Sequence, residues 1–418
     1  MAHHVEGPDL PAEPGTPTPI PLTSPADGVP PVVTTPDALA KAARALAEGS
    51  GPVAVDTERA SGYRYSQRAY LVQLRRAGAG TVLVDPIPLA GRLEPLAEAV
   101  NDAEWVLHAA SQDLPCLAEL NLHPASLFDT ELAGRLAGYE RVALGTLVEQ
   151  LLGYQLEKGH GAADWSQRPL PPDWLTYAAL DVELLVELRD VLATELAVQG
   201  KLDWALEEFE AVRHAPPPRP RPEPWRRTSG IHKVRSPRQL AGVRALWEAR
   251  DAVARERDIS PGRVLPDRAV IEAAVADPVD EQELVRLPVF RGRAQRRLAG
   301  NWAAALRLAR ELPREELPNP SPPHDGPPPP ARWADKDPAA AARLTAARTA
   351  LTSLATAHRL PVENLLQPDL VRRTCWQPPA DIGMESVAGV LRAGGAREWQ
   401  IGLTAGPVAA ALAARPGS

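Results

Sequence analysis

The 418-residue sequence predicts a mixed α/β domain followed by all-helical segments, and three observations carry that expectation. From about 52 to 210 short apolar runs alternate with helical stretches, the pattern of strands and helices packed in layers. Beyond 236 apolar residues recur only at helical spacing, with no convincing strand. The 46 prolines gather between these stretches, so they mark boundaries rather than interrupt elements.

Residues 1–30 carry eight prolines, from Pro8 to Pro30, among small polar residues, too little apolar surface to fold, and read as a disordered tail. The α/β domain is expected over 31–212. Within it Val53-Ala54-Val55, Tyr70-Leu71-Val72 and Thr81-Val82-Leu83-Val84 predict adjacent strands, and Trp105-Val106-Leu107 a fourth. Apolar spacing at i, i+3 and i+4 predicts helices near 89–100, 112–120, 128–138 and 173–197. Prolines interleaved with arginines over 213–232 predict a stiff extended linker. A helical domain over 233–313, a proline-rich spacer over 314–333 and a C-terminal helical domain over 334–418 follow. Ile259-Ser260-Pro261 through Val264-Leu265 is echoed by Leu360-Pro361-Val362 through Leu365-Leu366, the mark of an internal duplication.

Apolar residues at 44% and charged residues at 24% are a globular balance, not that of a disordered chain. Cys116 and Cys375 lie far apart with no Cys-x-x-Cys spacing, which argues against zinc or redox chemistry and for inert buried thiols. The absence of a charged and apolar leader, and of any run of eighteen apolar residues, predicts a cytoplasmic protein with no membrane segment. The formal charge is −7, yet 213–312 hold 21 Lys and Arg against 12 Asp and Glu, or +9, leaving −16 elsewhere. The densest basic stretch holds Arg291, Arg293, Arg296 and Arg297 around a glycine turn. It fits contact with a phosphate backbone, though a solvated helix face has the same composition.

Three short segments carry acids in positions suited to chemistry. Asp56 and Glu58 follow the first apolar run two residues apart, so an extended chain points both to one face. Asp113 follows the fourth run, after His108, in the first turn of the next helix. Tyr177 and Asp181 are spaced i, i+4 on one helix face. Taken singly, each has an ordinary reading: a polar strand end, compensation of a helix dipole, and a core tyrosine beside a solvated acid.

Together, in this order and spacing, the segments resemble the three motifs of the DEDD exonucleases in the subclass with tyrosine in the third. More narrowly, they resemble the ribonuclease D family. Gln73-Leu74, Phe128-Asp129-Thr130, Leu151-Leu152-Gly153 and the run from Asp164-Trp165-Ser166 to Pro169-Leu170 support the match, which spans about 52–200. Residues 236–312 resemble the HRDC domain through Gln239-Leu240, Leu246 to Asp251, Pro266-Asp267 and Leu287-Pro288.

The resemblance implies a ribonuclease H-like α/β exonuclease domain followed by one or two all-α HRDC-type domains, the second copy lying over 334–418. It implies that Asp56, Glu58, Asp113 and Asp181 hold two divalent cations, Mg²⁺ or Mn²⁺, with Asp56 bridging them, and that Tyr177 orients the attacking water. Hard oxygen ligands suit those ions, and four acids in one pocket repel strongly without them. The implied substrate is RNA with a 3′ end, such as a transfer RNA precursor, shortened one nucleoside 5′-monophosphate at a time. The HRDC region, Arg291, Arg293, Arg296 and Arg297 included, would bind the nucleic acid. Single-stranded DNA stands as the alternative polymer, since no reader of the 2′-hydroxyl is visible in the sequence. A non-catalytic binding scaffold is the rival of another class, opposed by the intact acids and Tyr177. His108 reads as a structural hydrogen-bonder, and Arg168 stays open between a substrate phosphate and an acid of the pocket.

Overall fold

Two layers of helices enclose a five-stranded sheet in the computed structural model, which describes residues 18–157, 159–217, 220–321 and 326–414. The strands are β1 (Ile20–Leu22), β2 (Ser50–Arg59), β3 (Ala69–Ala77), β4 (Gly80–Val84), β5 (Glu104–Leu107), β6 (Ser126–Asp129) and β7 (Tyr154–Leu156). Sheet order is β4-β3-β2-β5-β6, with β3 antiparallel to both β2 and β4 and the β2, β5 and β6 strands parallel. Val53-Ala54-Val55 and Trp105-Val106-Leu107 are buried throughout, as expected where helices cover both faces of a sheet.

The four expected strands are present as β2 to β5. β1 and β7, of three residues each, are too short to show a period, and β6 overlaps the stretch near 128–138 whose apolar spacing predicts a helix. β1 corrects the expectation of a disordered 1–30: residues 1–17 lie outside the described residues, but Ile20–Leu22 pair in parallel with Tyr154–Leu156. A two-stranded edge tolerates Pro21, since proline only forfeits a donor that need not face a partner. The single helix expected over 173–197 is two, Pro172–Glu183 and Leu185–Val198, which meet at Leu184 (φ −117°, ψ 12°).

The first helical unit has its own core, built around Trp302, Phe290 and Leu246. Trp225 belongs to that core, 3% exposed and with the Arg226 guanidinium 4.3 Å from its ring centroid. The stretch 213–232 is therefore not an extended linker throughout. Its Pro224–Arg227 turn is part of the domain, because an indole amid prolines still buries more apolar surface by docking than by staying in water.

Helices Pro237–Arg257, Pro261–Val264 and Asp267–Ala276 recur as Pro338–His358, Val362–Leu365 and Pro368–Trp376, each starting 101 residues later (338 minus 237 for the first). Both long helices end on a residue in the left-handed region, Asp258 (φ 47°) and Arg359 (φ 51°). In each unit a later helix, Ala299–Glu311 or Glu398–Leu412, packs on the long one. The second unit shares a continuous core with the α/β domain. Trp399 stacks on Trp204 at 5.0 Å, and the Glu207 carboxylate accepts from the Glu398 and Trp399 amides that open the last helix. Among the described residues no helix is long and apolar enough to cross a membrane.

Removal of the Trp225 indole is expected to destabilise the first helical unit by about 3–5 kcal/mol, the usual loss for a buried aromatic. Urea unfolding of Trp225→Ala measures it, and an unshifted midpoint would place the 224–227 turn outside the core.

Candidate active site

Strand β2 presents Asp56 and Glu58 to one face, and antiparallel register sets them opposite Gln73 and Leu71 of β3. The helix Pro172–Glu183 lies over β2, β3 and β4 on that face. Its Ala178 and Ala179 are fully buried against Leu71, Leu83 and Trp165, and such small side chains let the helix axis approach the sheet closely. One turn apart on this helix, Tyr177 and Asp181 then reach the strand. Carboxylate oxygens of Asp56, Glu58 and Asp181 come within 4.8 Å of one another, a spacing that could hold a metal ion.

Asp113 approaches from another side. It sits just ahead of the helix Leu114–Ala118 rather than inside its first turn, and its side chain does not cap that helix. Its Oδ1 instead accepts a 2.7 Å hydrogen bond from Thr57, the residue between Asp56 and Glu58 that alternation turns to the opposite face of β2. Arg59 Nη2 lies 3.6 Å from the same oxygen, and Arg59 Nη1 donates to the Gln112 carbonyl. The structure thus brings three of the four expected acids into one tight cluster. The fourth sits beside it, near enough for its charge to act on Asp56 and Glu58.

The turn that delivers Asp113 is held by Asp129, whose role the sequence does not reveal. Ala109 is left-handed (φ 61°, ψ 49°), a conformation that disfavours a side chain. The Asp129 carboxylate accepts from the backbone amides of Ala109 and Ala110, and also caps the helix Thr130–Ala137 through Glu131 and Leu132. A single buried acid thereby offsets the strain and satisfies four donors. Its place between a strand and a helix start is the only signal, and a plain N-cap gives the same one.

His108 Nδ1 pairs with Thr130 Oγ1 at 2.9 Å, and burial pushes its pKa down to about 4. It is a neutral strut of the β5–β6 end. Arg168 pairs with Asp85 through Nε and Nη2 at 2.6 and 2.9 Å and also donates to the carbonyls of Tyr70 and Trp165. These bonds commit it to fastening the 164–169 loop onto the sheet. Arg291, Arg293, Arg296 and Arg297 are exposed, and none of them has an ion-pair partner among the described residues.

Electrostatics mark the cluster as strained in isolation. Burial first, then the charges of Asp113, Asp181 and Glu58, hold the Asp56 carboxyl well above the ordinary range. Burial and the charges of Asp181 and Asp113 push Glu58 up to about 9. Burial raises Asp181 to about 7 and Asp113 to about 6, with hydrogen bonds from Tyr177 and Thr57 opposing. Burial and the neighbouring acids raise the Tyr177 phenol, which keeps its proton and donates to Asp181. Gln73, opposite Asp56, is fully buried, and neither end of its amide has a hydrogen-bond partner among the described residues. Crowded hard-oxygen donors beside an unpaired buried amide fit a site completed by a hydrated divalent cation.

The chain is similar to known proteins in both sequence and fold. Residues 30–197 match a family model described as 3′-5′ exonuclease, 239–306 one described as HRDC domain, and 326–412 one described as 3′ to 5′ exonuclease C-terminal domain. A curated relative named Ribonuclease D, from Gluconacetobacter diazotrophicus, is 35% identical over 285 residues, 66% of this chain and 71% of that one. A crystal structure of a protein from Bifidobacterium adolescentis superposes with a TM-score of 0.88 at 38% identity, over 94% of this chain and 99% of that one. Escherichia coli RNase D, described as an exoribonuclease involved in structured RNA processing, superposes at 0.65 with 25% identity, over 91% and 98%.

The raised carboxyls predict how the metal-free protein responds to pH. Each binds its proton more tightly folded than unfolded, where acids titrate near 4. Their contribution therefore favours the fold at low pH and is lost as pH rises through about 6 for Asp113, about 7 for Asp181 and about 9 for Glu58. With chelator present, the melting temperature should fall between roughly pH 5.5 and pH 8.5, and Glu58→Gln should flatten the slope. Mn²⁺ should raise it more at the upper pH, where the ligands are deprotonated. A metal-induced shift equal at both ends would contradict the cluster's role.

Proposed function

The chain belongs to the ribonuclease D family of metal-dependent 3′→5′ exoribonucleases, and we propose that it trims structured RNA 3′ ends, transfer RNA precursors among them, using two divalent cations. The convergence of Asp56, Glu58 and Asp181 within 4.8 Å is the observation that carries this reading. Asp56, Glu58 and Asp181 would hold one ion. Asp56 feels the charge of Asp113 on one side and Asp181 on the other, which makes it the carboxylate to be shared with a second ion on the Asp113 side. When bound, such a pair of ions activates the water for in-line attack on the phosphorus and offsets charge on the departing 3′ oxygen, releasing a nucleoside 5′-monophosphate.

The chain's own residues set the geometry of that attack. Tyr177 keeps its phenolic proton, so its hydroxyl orients the water rather than deprotonating it. Its hydrogen bond to Asp181 keeps the hydroxyl beside the acids. Thr57 and Arg59 hold Asp113 in place from the far face of the strand. Arg291, Arg293, Arg296 and Arg297 would bind the RNA backbone outside the pocket. The 334–418 region would be a second, diverged HRDC copy, which the constant 101-residue offset of its first helix starts supports (338 minus 237). A cytoplasmic location suits such a substrate.

Sizing the products from a single-stranded 3′ overhang tests the reading, with RNA and DNA oligomers run in parallel. Mononucleotides should appear from RNA in Mg²⁺ or Mn²⁺ and cease on chelation. Asp56→Asn should remove activity, and Tyr177→Phe should lower kcat by about a hundredfold or more. Full activity in either variant would refute the assigned roles. Replacing the four arginines by alanine should raise KM for RNA and flatten its salt dependence by about one unit of log-log slope for each phosphate no longer neutralised. An unchanged slope would remove them from the RNA path.

A further inference from the structure

Strand β2 does not end freely after its acids. Residues 60–68 continue it towards β3, and the first helical unit grips this segment. Asp258 stands at the centre of the grip: its carboxylate accepts from the Ser66 amide at 2.8 Å and pairs with Arg68 Nη2 at 2.8 Å. The Tyr65 hydroxyl donates to Asp251, and Arg255 lies over the Tyr65 ring and donates back to its oxygen. The Ser260 amide donates to the Tyr63 carbonyl, while Arg263 donates to the Gly62 carbonyl and lies 4.0 Å from the Tyr63 ring centroid. From the other side Arg64 donates to Ser166, in the loop that leads into the Tyr177 helix.

We propose that the Asp258 corner of the HRDC domain is a positioning element of the nuclease site: it fixes the 60–68 segment, and with it the end of the strand that carries Asp56 and Glu58. The arrangement goes beyond tethering RNA. A domain that served only as a second binding surface would need a linker, not a hold on Gly62, Tyr63, Tyr65 and Ser66 through main chain or ring. Glu58 lies two residues before Ala60, whose carbonyl accepts from the Tyr63 and Arg64 amides, so a displaced segment moves the strand end directly. The left-handed backbone of Asp258 at the end of its long helix aims the carboxylate outward at this segment. The inference rests on the reading of Asp56 and Glu58 as catalytic.

The test is Asp258→Gly in the full chain, because glycine accepts the left-handed backbone without strain and removes only the carboxylate. Asp258→Asn serves as the conservative partner, retaining an acceptor for the Ser66 amide. Kinetics on a structured RNA and on a trinucleotide RNA, with Mn²⁺, are read beside hydrogen exchange over 60–68. The expected result is faster exchange over 60–68 and a kcat lower by about tenfold or more on the structured RNA, with KM little changed, recovered in large part by Asp258→Asn. The trinucleotide, too short to use a remote binding surface, should lose turnover in parallel. A raised KM on structured RNA with kcat unchanged would overturn the proposal in favour of simple tethering, as would unchanged exchange over 60–68. Failure of the unaltered protein to degrade either RNA would instead count against the nuclease reading itself.

Discussion

Three carboxylates within 4.8 Å of one another, on groups largely removed from water, constrain everything around them. Like charges at that separation disfavour joint ionisation, and burial deepens the penalty because it removes the water that would screen them. The chain meets the constraint with rigid supports rather than with neutralising partners. No lysine or arginine is paired with Asp56, Glu58 or Asp181 in any ion pair among the described residues, and the nearby cation Arg59 contacts Asp113 instead. The site is thus left short of positive charge in the place where divalent ions and a polyanionic substrate would supply and use it.

The supports are ordinary packing devices used in concert. Ala178 and Ala179 bring the Tyr177 helix down on the sheet. Asp129 holds the left-handed Ala109 turn that presents Asp113, and Arg168 binds the preceding loop to Asp85 and the β3 backbone. None of these groups belongs to the cluster of Asp56, Glu58 and Asp181, yet each fixes where an acid stands. Buried acids with raised pKa values are costly to the fold. That cost is tolerated because the surrounding core, from Val53 to Leu196, is continuous and extends into the C-terminal unit.

The two helical units meet the α/β domain in related ways. The first uses the corner after its long helix, at Asp258, to hold the 60–68 segment. The second brings the corresponding corner, at Arg359, against Gly138, where no side chain would fit because the Arg359 carbonyl oxygen lies 2.8 Å from the place a Cβ would take. Glycine at φ 96° there also ends the helix Thr130–Ala137, so one residue serves both a helix terminus and a domain contact.

The order of an α/β domain before helical ones and the four main strands were legible in the chain alone, because period and residue type are local properties, while the five candidate pocket residues came from the resemblance of three short segments to a family's motifs. Asp56 and Glu58 had to share a face, and Tyr177 and Asp181 had to share another, whatever the fold. Only packing in three dimensions made those faces meet, brought Asp113 within reach of Thr57 on the opposite side of β2, and joined Arg168 to Asp85 and the β3 backbone. The same holds for Trp225, whose proline-rich neighbours hid a core residue, and for β1, whose partner strand is distant in the chain. Each of these depends on contacts between distant segments, and no local pattern records which partner a side chain will find.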